Sequence, residues 1–134
     1  MVHHPSTIKK LHEKGNSKID RGGNFGGPKT FGRRIAKWFD DRQITQNSDL
    51  AAQFSKLEEE MAELKSSFRD VNWQGDEEID TVEFKDGVGD CAVVLAGMAH
   101  MAGMTFEQCC ERAWNEIKDR TGHLNEDGIF VKDE

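Results

Sequence analysis

Two short acidic stretches carry the residues best suited to chemistry, Leu57–Leu64 (LEEEMAEL) and Glu83–Val94 (EFKDGVGDCAVV). On a helix each residue advances about 100°. Glu59, Glu60 and Glu63 then fall within an arc of roughly 100°, and Glu83, Asp86 and Asp90 within roughly 60°. Two carboxylate faces on two facing helices make a pocket for a hard divalent cation. Magnesium takes octahedral oxygen ligands and tolerates several waters, so a few carboxylates suffice if a phosphate completes the shell. A competing, blander reading exists for Glu58–Glu60: a solvated face with i,i+4 pairing such as Glu60–Lys56. Glu63 in register, and the second acidic face downstream, shift the balance toward a site.

A metal site of this kind suits phosphoanhydride hydrolysis. That reaction needs screening of triphosphate charge, a positioned water and a stabilised leaving group, and metal ions supply Lewis acidity. A further glutamate left free of metal is suited to act as general base toward the water. Arg112, Asn115 and Lys118 recur every third residue, climb one side of a helix together, and are suited to hold phosphate oxygens from the opposite wall. Trp73 sits in a polar stretch and either covers the edge of the core or flanks the site as a stacking surface for a base. Trp38 is a second candidate for contact with the base.

The elements that must position these groups are helical, so the fold class expected is all-α, a four-helix-type bundle. A first helix, about 30–43, begins with Thr30 as N-cap after Pro28 and carries Phe31, Ile35, Trp38 and Phe39 on one stripe. A second, about 49–68, is capped by Asn47, Ser48 or Asp49. Its Leu50, Phe54, Leu57, Met61, Leu64 and Phe68 step 4-3-4-3-4, a narrow bundle-type seam. Asp70–Asp80 reads as a loop. A third helix, about 81–101, has Val88, Cys91, Val94, Leu95, Met98 and Ala102 as its buried stripe, widened by Val93 and Ala96. Gly87, Gly89 and Gly97 each cost this helix roughly 1 kcal/mol relative to Ala, so close approach of another backbone or of a ligand is expected there. A fourth helix, about 105–120, opens with a Thr105–Gln108 capping box and ends at Gly122. The last residues (HLNEDGIFVKDE) read as a tail in which Ile129-Phe130-Val131 docks on the body.

At 134 residues one domain is expected, with residues 30–134 as the helical body and residues 1–29 as a flexible, basic, Gly-rich tail bearing a short helix around Ser6–Lys14. The tail contains no G-x-x-x-x-G-K-[ST], so its glycines make no P-loop. Residues 1–34 hold eight Lys/Arg against two acids, a balance of +6, whereas the remainder holds ten bases against 23 acids, a balance of −13. An acidic body argues against a nucleic-acid-binding surface, which must neutralise phosphates. It fits an anionic ligand that arrives already screened by metal ions. No stretch approaches the ~20 apolar residues that span a bilayer, and no N-terminal hydrophobic run suggests a secretory signal, so a cytoplasmic protein without membrane contact is expected. Three cysteines with no C-x-x-C pair suggest neither a zinc site nor disulfides but reduced thiols packed as small hydrophobes.

E-E-x-x-E at Glu59–Glu63, an acidic helix about twenty residues later, and N-x-x-K at Asn115–Lys118 together resemble the MazG-like all-α NTP pyrophosphatase superfamily. KDGVGDCAVVL followed by WNEIKDRTG is most similar to its short phage and bacterial members. The resemblance covers roughly residues 30–122. It implies a helical bundle assembled as a homodimer or homotetramer that splits (d)NTPs into (d)NMP and diphosphate with Mg²⁺, with Mn²⁺ as a substitute, in nucleotide-pool control. It implies Glu60, Glu63 and Asp90 as metal ligands, Glu59 as a further ligand or the base, and Asn115 and Lys118 as phosphate- and metal-facing residues. The family's E-x-x-D second motif would place its acid at position 87, which here is Gly87. Asp86, at i,i+4 to Asp90, substitutes for it in one alignment, and Glu83–Asp86 supplies the motif one turn earlier in the other. A catalytically silent nucleotide- or metal-binding module, or an oligomerisation domain, is the alternative from a different class.

Overall fold

The computed structural model describes residues 29–69 and 81–134. The expectations for the N-terminal tail, its short helix, the 70–80 loop and Trp73 lie outside the described residues. Within them the chain is all-α in class, with one small hairpin at its end. Helix α1 is Phe31–Asp41, α2 a single turn Ile44–Asn47, α3 Leu50–Arg69, α4 Thr81–Met101 and α5 Phe106–Ile117. Strands β1 (Gly122–Leu124) and β2 (Phe130–Lys132) pair antiparallel, Gly122 opposite Lys132.

Local chemistry sets the helix starts. The Thr30 hydroxyl accepts the Arg33 N–H, and the Asp49 carboxylate accepts the Ala52 N–H at 2.8 Å, so Asp49 is the cap of α3. Thr105 and Gln108 exchange both bonds of a capping box at α5. The break after α1 is made by Gln43, whose φ of 60° lies in the left-handed region and turns the chain into α2.

The core sits where α1 crosses α4. Ile35 and Phe39 of α1 and Val93 and Ala96 of α4 are buried together, with Trp38, Ile44, Met101 and Phe106 packed round them. Each large apolar side chain so buried contributes about 1.5–3 kcal/mol. Gly97 lets the helices approach, because a Cβ there would collide with the Phe39 ring. Gly87 does the same for α3: its added Cβ would lie 3.1 Å from the Leu64 Cα. Two of the three α4 glycines thus serve helix contacts, while a Cβ on Gly89 would meet nothing within 4 Å.

Helices α3 and α4 form an antiparallel layer. Leu64 lies over Gly87 and Phe68 meets Phe84 edge-on at 6.3 Å between centroids. Only two of the six residues of the expected α3 seam are withdrawn from water: Leu57 is buried and Leu64 half-buried, but Leu50, Phe54, Met61 and Phe68 are exposed. On α4 the stripe is also displaced. Val93 and Ala96 are buried with Val94, whereas Val88, Leu95 and Ala102 are exposed, because α1 packs on the face of α4 that carries Val93, Ala96 and Gly97 while α3 packs on the face that carries Gly87 and Asp90. Among the described residues no Cα of α3 comes within 8 Å of α1 or α5, so the helices do not close round one core within the chain.

The end of the chain also departs from expectation. Helix α5 stops at Ile117, and Gly122 is the first residue of β1 rather than a helix stop; a Cβ on it would strike the Val131 carbonyl of the paired strand. Ile129, Phe130 and Val131 do not dock on the body but lie exposed in and beside β2. The turn explains the hairpin. Asn125 Oδ1 accepts from the Asp127 and Ile129 N–H groups, and Gly128 takes φ 79°. No single helix among the described residues is long and apolar enough to cross a membrane.

Candidate metal centre

Three of the expected ligands converge. Glu60 and Glu63 of α3 and Asp90 of α4 each offer an oxygen, and these lie within 4.8 Å of one another. The antiparallel register produces this. Leu64 over Gly87 and Phe68 beside Phe84 fix the layer, which sets Glu60 level with Asp90. Oxygens sharing one ion lie no farther apart than twice the metal–oxygen bond, about 4.2 Å for magnesium and about 5 Å for calcium. The trio is therefore of cation size, needing only a slight closure for the smaller ion.

Burial separates the three. Glu60 is wholly buried (0% exposed), Asp90 half-buried and Glu63 exposed. Burying a carboxylate is costly unless a positive charge or hydrogen bonds offset it. Lys56 supplies one charge: its Nζ is 3.1 Å from Glu60 and 3.6 Å from Glu59. Burial alone would lower the Lys56 pKa, but the bond to Glu60 and the charges of Glu60 and Glu59 hold it above its ordinary value. The pairing of Glu60 with Lys56 is thus present, yet on a side chain wholly withdrawn from water rather than on a solvated face.

One ammonium does not balance three carboxylates. The consequence falls on Asp90, whose pKa is pushed up to about 6, first by burial and then by the charges of Glu60, Asp86 and Glu63. Beside it, burial and then Glu60 and Asp90 push the Cys91 thiol up, which keeps it a neutral packed group. A part-buried, crowded carboxylate set in which one member is harder to ionise is what a divalent cation relieves, and hard oxygen donors suit magnesium, manganese or calcium.

The other candidates are placed as follows. Glu59 is exposed one turn before Glu63 on the same flank, steered by Lys56. Asp86 and Glu83 are exposed on α4 and lie outside the trio, although the Asp86 charge is felt at Asp90. Trp38 is half-buried, and the Arg42 guanidinium sits 4.5 Å from its ring centroid, covering one face. Arg112 and Asn115 of α5 and Lys118 at its C-cap are exposed; Arg112 pairs loosely with Glu116 at 3.9 Å. Because α5 packs on α1 and α4 and not on α3, these groups are not brought against the trio by a direct α3–α5 contact.

Lys56 is the group that the sequence reading left as a mere salt-bridge partner. Its place at i−4 to Glu60 and i−3 to Glu59 was the available signal. Compared with known proteins, the chain matches no family model, no curated protein and no solved structure.

Proposed function

We propose that this chain is a divalent-metal-dependent nucleoside triphosphate pyrophosphohydrolase, converting a (d)NTP and water to (d)NMP and diphosphate. The observation that supports this best is the trio of Glu60, Glu63 and Asp90 within 4.8 Å of one another, with Glu60 wholly buried. In this reading these three hold Mg²⁺, or Mn²⁺ in its place, and Asp86 adds field from the next turn. The bound ion supplies charge screening and Lewis acidity to the triphosphate. Glu59, exposed beside the trio, takes a proton from water as that water's oxygen forms a bond to the α-phosphorus. The bond from the α-phosphorus to the bridging oxygen breaks and diphosphate leaves. Arg112, Asn115 and Lys118 hold phosphate oxygens, and Trp38 meets the base.

The motif combination that resembles the MazG-like all-α NTP pyrophosphatases supports the same reading, together with a homodimer or homotetramer, a cytoplasmic place and a role in nucleotide-pool control. A second reading is a catalytically silent metal- or nucleotide-binding module. One observation favours it: Lys56 already neutralises part of the charge on Glu60.

Product analysis separates the two. The full chain is incubated with a panel of NTPs and dNTPs, with Mg²⁺ and with chelator. The enzyme reading predicts monophosphate and diphosphate from at least one nucleotide, lost with chelator and in Asp90→Asn. Binding without turnover of any nucleotide establishes the silent module, and diphosphate nucleoside plus orthophosphate establishes a different reaction.

A further inference from the structure

The turn between α4 and α5 is fixed from both sides. Gly103 takes φ 86°, its N–H bonds to the His100 carbonyl at 2.9 Å, and the Met104 N–H bonds to the Ala99 carbonyl at 3.0 Å. These are the two bonds that close a helix through a left-handed glycine. On the other side Thr105 and Gln108 open α5 with their reciprocal bonds. Met104 thus ends one helix stop and directly precedes the next helix cap. From that position its side chain meets the residue four beyond the cap, a contact that two hydrocarbon side chains usually make. Here both partners are sulfur: the Cys109 Sγ lies 3.6 Å from the Met104 Sδ.

The contact is open to water, with Met104 43% accessible and Cys109 exposed. The expectation that the cysteines pack as small hydrophobes suits Cys91, which is half-buried, but not Cys109 or Cys110, which are exposed. Apolar volume alone would hold the turn together, and a leucine or valine supplies it without an oxidisable atom. A thioether and a thiolate are soft donors. The cation they select is soft as well, cuprous copper rather than the hard ions suited to the carboxylate trio. Zinc takes thiolate, imidazole and carboxylate, and thioether is not among its ligands.

Bond length turns the contact into a coordination angle. With metal–sulfur bonds of about 2.3 Å, two sulfurs 3.6 Å apart subtend about 103° at a shared ion. That is close to the tetrahedral angle, and opening the pair by about 0.4 Å gives a trigonal one. The backbone that carries both donors is already fixed by the turn, so little ordering is left for binding to bring about. Cys110 is turned about 100° further around α5, so the remaining positions fall to solvent or to an incoming thiol. We propose that Met104 and Cys109 form a binding site for Cu⁺ at the α4–α5 turn. As the sulfur–copper bond forms, the Cys109 thiol gives its proton to water. Met104 donates a lone pair, and no electron changes hands. The site shares no residue with the acidic trio and does not rest on the proposed function.

Two measurements on the full, reduced chain test it. Ag⁺, an air-stable ion of the same charge and softness, is added to protein carrying ¹³C-methyl methionine, and the five methionine methyl signals are followed. The signal missing from Met104→Leu is expected to move within the first equivalent. Cu⁺ affinity is then read under argon by competition with a chromogenic chelator. The wild type is expected to hold one Cu⁺ per chain against the chelator. Met104→Leu and Cys109→Ala, which keep an apolar contact in the turn, are expected to weaken it about tenfold or more with helical circular dichroism unchanged. Cys110→Ser is expected to leave it within about twofold. Should Met104→Leu lose helicity, Met104→Gln makes the same test. An unmoved Met104 methyl, undiminished affinity in the folded Met104 variant, or a loss in Cys110→Ser as large as in Cys109→Ala overturns the inference.

Discussion

Glu60→Gln isolates the charge of the buried carboxylate while keeping its shape. In the wild type, oxygens of Glu60, Glu63 and Asp90 lie within 4.8 Å of one another. At that separation, with an effective dielectric constant of ~20, each pair of charges repels by about 3–4 kcal/mol. That repulsion, after burial, is what raises the Asp90 pKa to about 6. Removing the Glu60 charge is expected to lower the Asp90 pKa by about one unit and, after solvent screening of a half-exposed group, to return about 1 kcal/mol of stability near neutral pH. Against this, Lys56 keeps a hydrogen-bond acceptor but loses its ionic partner at 3.1 Å, a loss of about 1 kcal/mol. The two nearly cancel, so thermal unfolding is expected to shift by less than about 5 °C. Cation affinity, by contrast, is expected to fall at least tenfold. Carbon-13 titration of the Asp90 carboxyl, a thermal melt and manganese titration read the three effects. A collapse of the fold, or a folded variant whose Asp90 titrates as in the wild type, would show that Glu60 is a structural partner of Lys56 and not a member of a cation site.

Asp90 also sets a pH dependence. Its folded pKa is raised, so the stability it contributes is fully present below the ordinary carboxylate range and is lost as pH rises through about 6. After screening, about 1–2 kcal/mol is at stake in the metal-free chain, and melts from pH 4 to 7 measure it. The two unlike glycines of α4 give a packing test: Gly97→Ala drives a methyl into the Phe39 ring and is expected to cost about 1–3 kcal/mol, whereas Gly89→Ala meets open space and is expected to stabilise by about 0.5–1 kcal/mol, both read by denaturant unfolding. Lys118→Ala is expected to raise KM for nucleotide several-fold while manganese affinity stays unchanged; an unaltered KM removes Lys118 from phosphate binding.

Much of the helical framework was legible because it is written locally. Thr30, Asp49 and Thr105 cap where side-chain chemistry lets them, and α4 spans the expected residues. The convergence of Glu60, Glu63 and Asp90 was legible as two faces, though not as a depth: nothing in the spacing says that Glu60 is wholly buried while Glu63 meets solvent. That difference is set by how α3 packs on α4, with Leu64 against Gly87. What periodicity could not decide is which apolar stripe meets which neighbour. The Leu50–Phe68 seam is the cleanest in the sequence, yet most of it faces out, because the chain folds its core where α1 crosses α4. The hairpin was missed for a different reason. Asn125 to Gly128 is turn chemistry of the Asp-Gly kind between short apolar runs, and reading those runs as a docking tail passed over it.

The central claim is that Glu60, Glu63 and Asp90 together bind a divalent cation. Calorimetric titration of Mn²⁺ into the nucleotide-free chain at pH 7, alongside Asp90→Asn and Glu63→Gln, measures it most directly. One ion per chain in the wild type, at least tenfold weaker in either variant, is the result expected. No binding to the wild type, or the same affinity in all three, contradicts the account.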